Sequence, residues 1–427
     1  MHDQSQSDGP AQQEIIPARF GAGYERGYFM NKFDYVIIGG GLAGASAIQG
    51  IRERDTHGSI LLVGEEKHLP YDRPPLSKKL WFGKARVEDI FIHDQQFYDE
   101  HGVSMVLGNR VEKLDTKEKS ITAANGERYG FGKLLLATGT QPRRIAIPGG
   151  DLEGICYYRT LDDYLRMQSE AKTRQSVLIV GGGFIGSELA AALNGSLEVS
   201  LIFPSATICQ RVLPEKLGLA VQQHFQERGI RVIPSDFPTT ISKSGDKFRT
   251  GTASGKSIES DLVVIGIGVD PSIGLAQEAG LEVGNGIVVN EYLESSHPDI
   301  HAAGDNAFFP YLALGQSMRI EHWDNALSQG KLAGRNMAGA REAFTYQPYF
   351  FTDLFEFGYE ATGEVDTRLE VFADWQKENH TGVIYYLRDG RVRGVMMCNV
   401  WDRLDAAREL IRKNERVTPE SLRGVIR

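Results

Sequence analysis

The chain of 427 residues carries 47 basic and 56 acidic side chains, for a net charge of −9, with 41% hydrophobic and 24% charged residues. Such a length holds two or three domains, and such a balance argues against broad nucleic-acid binding. No apolar run is long enough to span a bilayer, and Cys156, Cys209 and Cys398 form no C-x-x-C or C-x-x-x-x-C pair, which leaves no local redox disulfide or zinc motif and suits the reducing cytoplasm.

Residues 1–29 are polar, mix Asp3, Asp8, Glu14 and Glu25 with few bases, and lack the apolar stretch of a signal peptide. They are expected to form a poorly ordered extension ahead of the first strand. Strand 33–38 then runs into G-G-G-L-A-G at 39–44 and a helix at 45–54. In a strand–G-x-G-x-x-G–helix unit the first glycine makes the tight turn and the second lets backbone approach a pyrophosphate. The third lets helix pack on strand, with the diphosphate at the helix N-terminus. Strand 59–63 ends at Glu65, about 20 residues on, where such folds hydrogen-bond an adenosine ribose. A solvated loop glutamate is the alternative. L-P-Y-D-R-P-P-L-S-K at 69–78 is a proline-stiffened turn entering a helix, and it presents Arg73 and Lys78 in fixed directions. The plainer reading is a rigid surface turn with two solvated cations. Alternating strands and turns occupy 103–128, and a buried strand at 133–139 ends in the small residues Ala137, Thr138 and Gly139, which allow close approach to a ligand.

A second unit begins near 157. Strand 176–180 leads into G-G-G-F-I-G at 181–186 and a helix, followed by strand 198–203, a helix at 213–228, strand 261–265 and G-I-G-V-D-P at 266–271. One G-x-G-x-x-G is weak, but two, each after an apolar β-branched run, suggest two dinucleotides side by side: a hydride donor and a bound flavin. H-A-A-G-D at 301–305 is expected to close a strand and turn into a helix, and E-H-W at 321–323 opens a long helix to Met337. From 346 the alternation is strand-like, at 382–387 and 391–398, before an amphipathic helix at 402–413: a third, α+β domain.

The two glycine loops, A-T-G at 137–139 and A-G-D at 303–305 together resemble the two-dinucleotide flavoprotein reductases of the glutathione-reductase superfamily. The 69–78 turn, E-H-W and the C-terminal domain point to the branch of ferredoxin and rubredoxin reductases and apoptosis-inducing-factor flavoproteins. R-P-P-L-S-K-K-L-W-F at 73–82, G-G-G-F-I-G-S-E-L-A at 181–190 and V-L-P-E at 212–215 resemble the apoptosis-inducing-factor type more closely. So do G-K-L-A-G-R-N-M at 330–337, G-Y-E-A-T-G at 358–363 and G-V-I-Y-Y-L-R-D at 382–389. The resemblance implies an α/β fold of two interleaved Rossmann-like dinucleotide-binding domains and a C-terminal α+β domain. FAD would occupy 30–156 together with 273–345, and NADH or NADPH would occupy 157–272. The domain at 346–427 would close over the flavin.

The resemblance further implies roles. Gly39, Gly40, Gly41, Leu42, Ala43 and Gly44 would cradle the FAD pyrophosphate, Glu65 and Glu66 the adenosine end, Arg73 the phosphates and Val111 the adenine. Ala137, Thr138, Gly139, Arg143, Asp305 and Trp323 would complete the flavin site. Gly182, Gly183, Phe184, Ile185, Gly268, Glu321, His322, Glu360 and Asn399 would line the nicotinamide coenzyme, and His322 also reads as a structural histidine. Lys78 and Glu188 would be catalytic: a cation beside the flavin stabilises arriving negative charge, and the carboxylate positions it.

Two departures stand out. Ser205 occupies the place of the ribose-binding acid, with Arg211 downstream, so NADH is favoured while a 2′-phosphate is tolerated. Phe351 stands for the usual tryptophan, keeping the aromatic surface but losing the indole donor. Two functions follow: a reductase passing electrons to an iron–sulfur protein, a quinone or oxygen, or a slow-turnover redox sensor that forms a homodimer in response to NADH. Two complete dinucleotide units disfavour a flavin hydroxylase.

Overall fold

Asn31–Ile38 is the middle of the first sheet, with Val36 and Ile37 fully buried. A strand buried on both faces belongs in a parallel sheet, and its neighbours are Ile60–Val63 on one side and Arg128–Leu136 on the other, both parallel. Val103–Val106 extends the sheet beyond Ile60–Val63. On the far side Ile300–Ala302 pairs with Arg128–Leu136, so the chain returns to the first sheet after building the second. The computed structural model describes residues 30–427; the extension at 1–29 lies outside the described residues.

The second sheet has the parallel order Arg231–Ile233, Glu198–Ile202, Ser176–Val180, Leu262–Ile265, Ile155–Tyr157. Its edge strand Ile155–Tyr157 starts just ahead of the expected boundary at 157. The chain crosses between the units twice, and the crossings pair as an antiparallel ribbon, Thr140–Pro142 with Val269–Pro271. The C-terminal domain is a five-stranded antiparallel sheet in the order Tyr349–Leu354, Phe357–Gly363, Arg391–Cys398, Thr381–Arg388, Glu370–Lys377. Helix Leu404–Lys413 buries Ala407 and Ile411 against it.

Helix Leu42–Arg52 lies directly on helix Trp323–Met337, and glycines set the closeness. A Cβ on Gly330 would strike the Ala43 carbonyl, one on Gly334 the Ala47 carbonyl, and one on Gly50 the Lys331 carbonyl. The seam is backbone against backbone, and it ties the first glycine loop to the helix that carries His322 at its N-cap.

Three local expectations need correction. After Gly304 and Asp305 comes no helix but strand Ala307–Tyr311, paired with Gln316–Met318; its A-F-F-P-Y composition favours an extended edge over a helix. The proline turn at 69–78 yields a single 3₁₀ turn, Pro74–Ser77, which begins on the two prolines and stops where Lys78 leaves helical backbone angles at φ −135° and ψ −102°. The last helix starts at Leu404 rather than 402, since Asn399 and Asp402 take left-handed backbone angles, φ +47° and +60°.

Candidate functional site

The two glycine loops share one geometry. Gly39 and Gly181 hold φ near +120°, at +122° and +121°, a region that L side chains rarely enter. A Cβ on either would run into a carbonyl oxygen of the neighbouring strand end, Ala137 or Gly266. Gly44 and Gly186, one helical turn on, press against the carbonyls of Gly39 and Gly181. The N-caps Gly41 and Gly183 face open space and carry no side-chain cap. Each helix therefore offers uncapped N–H groups to an anion, the cradle a dinucleotide pyrophosphate fits.

Beside the first loop a row of charged groups runs from one unit to the other. Glu66 accepts from Arg73 Nη2 at 2.6 Å and from the Tyr71 hydroxyl at 2.5 Å. Arg73 Nη1 donates to the Arg159 carbonyl at 2.9 Å, and Arg159 Nη2 reaches Asp305 at 3.1 Å. The Arg159 Nε is buried and has no partner among the described residues. Thr138 donates to the Ser272 carbonyl and accepts from Asn306 Nδ2. Glu65 is 70% exposed and 3.8 Å from Arg110, while Val111 is buried at the start of its strand. Arg143 stands at the interdomain ribbon, where it pairs with Asp270 at 2.8 Å and its N–H donates to Gly268.

The densest cluster lies where all three domains meet. Lys78 Nζ is 3.1 Å from Glu188 Oε1, and the ammonium sits 4.5 Å from the centroid of the Phe351 ring. Glu188 is buried, the Ser77 hydroxyl donates to its Oε2 at 2.5 Å, and the Thr352 hydroxyl donates to Oε1 at 2.6 Å. One carboxylate thus holds three donors. Such pairing is what makes a buried charge tolerable.

His322 stacks on Phe350, with centroids 4.3 Å apart, and Phe350 in turn meets the edge of Phe184 at 5.7 Å. Burial pushes the His322 imidazolium down to about 4, so the ring is neutral near pH 7. Trp323 Nε1 donates to Asp72 at 2.6 Å, and burial raises the Asp72 carboxyl. Glu360 lies across the strand pair from Phe351; its Oε2 is buried without a partner among the described residues, and burial, then Asp402, raise it.

Other expected residues lie apart or are engaged elsewhere. Glu321 pairs with Arg319 at 2.5 Å. Ser205 donates to the Thr207 carbonyl, and Arg211, 80% exposed, stands 3.6 Å from Asp366 of the C-terminal domain. The Asn399 amide joins the Gly358 N–H to the His380 carbonyl and has its polar atoms engaged there. Gly40, Gly182, Ala137 and Gly139 lie in the loops flanking the two cradles, and Ile185 is in the first turn of helix Phe184–Leu193. Sequence reasoning missed Tyr71, Ser77, Arg159, Asn306 and Thr352. Ser77 adjoins Lys78 and Tyr71 lies in the same 69–78 motif, two and five residues from its partners Arg73 and Glu66, so both were within reach; Arg159, Asn306 and Thr352 act across sequence separations that no local motif spans.

Residues 33–330 match the family model described as pyridine nucleotide-disulphide oxidoreductase. The chain belongs to that family. Segments 333–382 and 373–413 match the C-terminal model of the mitochondrion-associated apoptosis-inducing factor. The chain is 30% identical to mitochondrial apoptosis-inducing factor 1 of Dictyostelium discoideum, over 91% of this chain and 80% of that one. It is also 30% identical to the ferredoxin–NAD(+) reductase component of the anthranilate 1,2-dioxygenase system of Burkholderia cepacia, over 92% and 97%. The ferredoxin reductase for the CYP199A2 system of Rhodopseudomonas palustris superposes with a TM-score of 0.84 at 28% identity, covering 91% of this chain and 96% of that one. Like its pyridine nucleotide-disulphide oxidoreductase relatives, the chain is an FAD-containing NAD(P)H oxidoreductase. Its three cysteines, Cys156, Cys209 and Cys398, are free and buried. No described helix is long and apolar enough to cross a membrane, and the described residues hold no group of metal-ligating side chains.

Proposed function

We propose that this protein is an NADH-dependent reductase that delivers electrons to a small ferredoxin-type iron–sulfur protein. The reading is carried by the buried Lys78–Glu188 pair, held at the junction of three domains and within one helical stretch of the second glycine loop. In this reading the amides of Gly39 to Ala43 hold the FAD pyrophosphate, with Glu65 and Glu66 at the adenosine end. Arg73 and Arg159 face the phosphates, and Asp305 and Thr138 face the ribityl chain; the unpartnered Arg159 Nε is a donor awaiting an acceptor. Gly182, Gly183, Phe184 and Ile185 hold the coenzyme.

FAD held there would supply a two-electron acceptor for hydride from reduced nicotinamide and a one-electron donor to a carrier. Lys78 supplies positive charge where negative charge arrives, and Glu188 fixes the ammonium. Phe351 covers that ammonium and keeps water from it, so its attraction is less screened. Neutral His322 adds no competing charge, and Phe350 and Phe184 wall the coenzyme side. Arg211 is partly neutralised by Asp366, which supports NADH over NADPH. Three unpaired thiols support a reducing cytoplasmic setting.

The test is steady-state NADH oxidation with a ferredoxin, a quinone and oxygen offered in turn, together with anaerobic single-turnover reduction of Lys78→Ala. Fast turnover with the ferredoxin, and slow flavin reduction in the variant with FAD retained, are the expected results. Equal reduction rates would remove Lys78 from the chemistry. A second reading, the redox-sensing dimer, is favoured by the C-terminal match to apoptosis-inducing factor. Slow turnover with every acceptor, plus a NADH-dependent rise in mass by light scattering, would select it.

A further inference from the structure

Strand Tyr349–Leu354 touches the Lys78–Glu188 pair at both ends. Adjacent strand residues point to opposite faces, and here the alternation is used: Phe351, 38% exposed, lays its ring over the Lys78 ammonium, while Thr352, fully buried, turns its hydroxyl onto Glu188. From the other side Ser77, the residue before Lys78, donates to the second carboxylate oxygen. The two oxygens of Glu188 are thus assigned: Oε1 to Lys78 and Thr352, Oε2 to Ser77. A carboxylate with one hydroxyl on each oxygen cannot rotate about its terminal bond without breaking both contacts. Its rotamer, and with it the Lys78 position, is set by groups that do not themselves reach the ammonium.

We infer that Thr352 is a positioning residue for the reductase reaction: the C-terminal domain, through this hydroxyl, orients Glu188 and so holds Lys78 where it works. The inference rests on the proposed role of the Lys78–Glu188 pair. Ser77 belongs to the same clamp but comes from the first unit. Thr352 therefore adds a dependence on where the C-terminal domain sits. A shift of that strand by the length of a hydrogen bond releases the carboxylate while both dinucleotide cradles stay intact. Threonine suits the task, since its branched side chain is stiff on a strand and aims the hydroxyl. Valine has nearly the same shape without the donor.

The test uses the FAD-loaded enzyme with Thr352→Val, Thr352→Ser, Glu188→Gln and the double variant. A lost hydrogen bond to a charged group is worth a factor of about ten or more, so single-turnover flavin reduction by NADH should fall about tenfold in Thr352→Val. Thr352→Ser should restore the rate to within about twofold, and the NADH concentration at half-saturation should stay within about twofold. In the Glu188→Gln background, Thr352→Val should change the rate by less than about twofold, because the hydroxyl acts through the carboxylate. The flavin midpoint potential should move to more negative values in Thr352→Val and stay at the parent value in Thr352→Ser, a readout independent of turnover. Should the valine variant fail to retain FAD, Thr352→Ala removes the same donor without placing a second methyl toward the carboxylate. A wild-type rate in a donor-less variant while Glu188→Gln is slow overturns the inference alone. A wild-type rate in Glu188→Gln overturns both the inference and the reading beneath it.

Discussion

At the scale of single residues, charge and burial decide what each group does. In the proposed coenzyme site Ser205 stands where a ribose-binding acid would be, and Asp366, the carboxylate beside Arg211, also holds Arg368. Ser205→Asp should therefore lower the NADPH/NADH ratio of kcat/KM by about tenfold, by placing a like charge where a 2′-phosphate would lie. A ratio that stays put would show that the ribose binds elsewhere. His301 makes a separate point. Both ring nitrogens are buried without partners among the described residues, and burial pushes the ring down to about 4. Between that value and the ordinary one near 6.5, the unfolded chain takes up a proton that the folded chain refuses. Stability should therefore be lost as pH falls through this window, by up to about 1.4 kcal/mol per pH unit. Urea midpoints at pH 7, 6 and 5 should fall more gently for His301→Leu than for the parent chain; parallel falls would refute it. Arg159 illustrates what the sequence hides. Its position before the Thr160-capped helix carries no signature, and its site exists only because Arg73 and Asp305 arrive from distant segments.

At the scale of elements, local pattern was a good guide wherever backbone chemistry is local. Both glycine loops, the parallel strands around them and the helix after E-H-W follow from spacing alone, since turn sterics and β-branched runs are encoded within a few residues. After Asp305 the expected helix gives way to strand Ala307–Tyr311, whose aromatic, proline-containing composition favours an extended edge. G-K-L-A-G-R-N-M at 330–337 was legible as a likeness but not as a mechanism. The structure supplies the mechanism: Gly330 and Gly334 are the contact surface of one helix on another. Gly334→Ala forces a methyl against the Ala47 carbonyl, and overpacking of this kind costs about 1–3 kcal/mol. Because helix Leu42–Arg52 starts on the proposed FAD cradle, the variant should melt several degrees lower and purify with less flavin. Unchanged melting with full occupancy would mean that the seam yields at no cost.

Across the whole molecule, the C-terminal domain grips the second unit at several points of unequal weight. Tyr386 donates to the Val212 carbonyl, Thr367 bonds Gln210 and Arg211, and Glu356 pairs with Arg228 and His224. Glu356 is 70% exposed, and exposed ion pairs contribute little once screened. Glu356→Ala should shift the melting temperature by less than about 2 °C and leave NADH oxidation unchanged. A large loss would place more of the domain's grip at the surface than its burial suggests. None of these bridges was visible in the sequence, because a contact between domains depends on how finished surfaces meet.

The paired crossings at Thr140–Pro142 and Val269–Pro271 bring the way in and the way out of the second unit side by side, with opposed Cα atoms about 5 Å apart. Everything between them is an inserted cassette with adjoining ends. A host of this kind tolerates exchange of the cassette without stretching its own frame. On the proposed assignment the choice of reductant is thus a detachable property, open to grafting from another protein, whereas the flavin seat is woven from two separate lengths of chain, 30–156 and 273–345, and cannot be transplanted piecemeal.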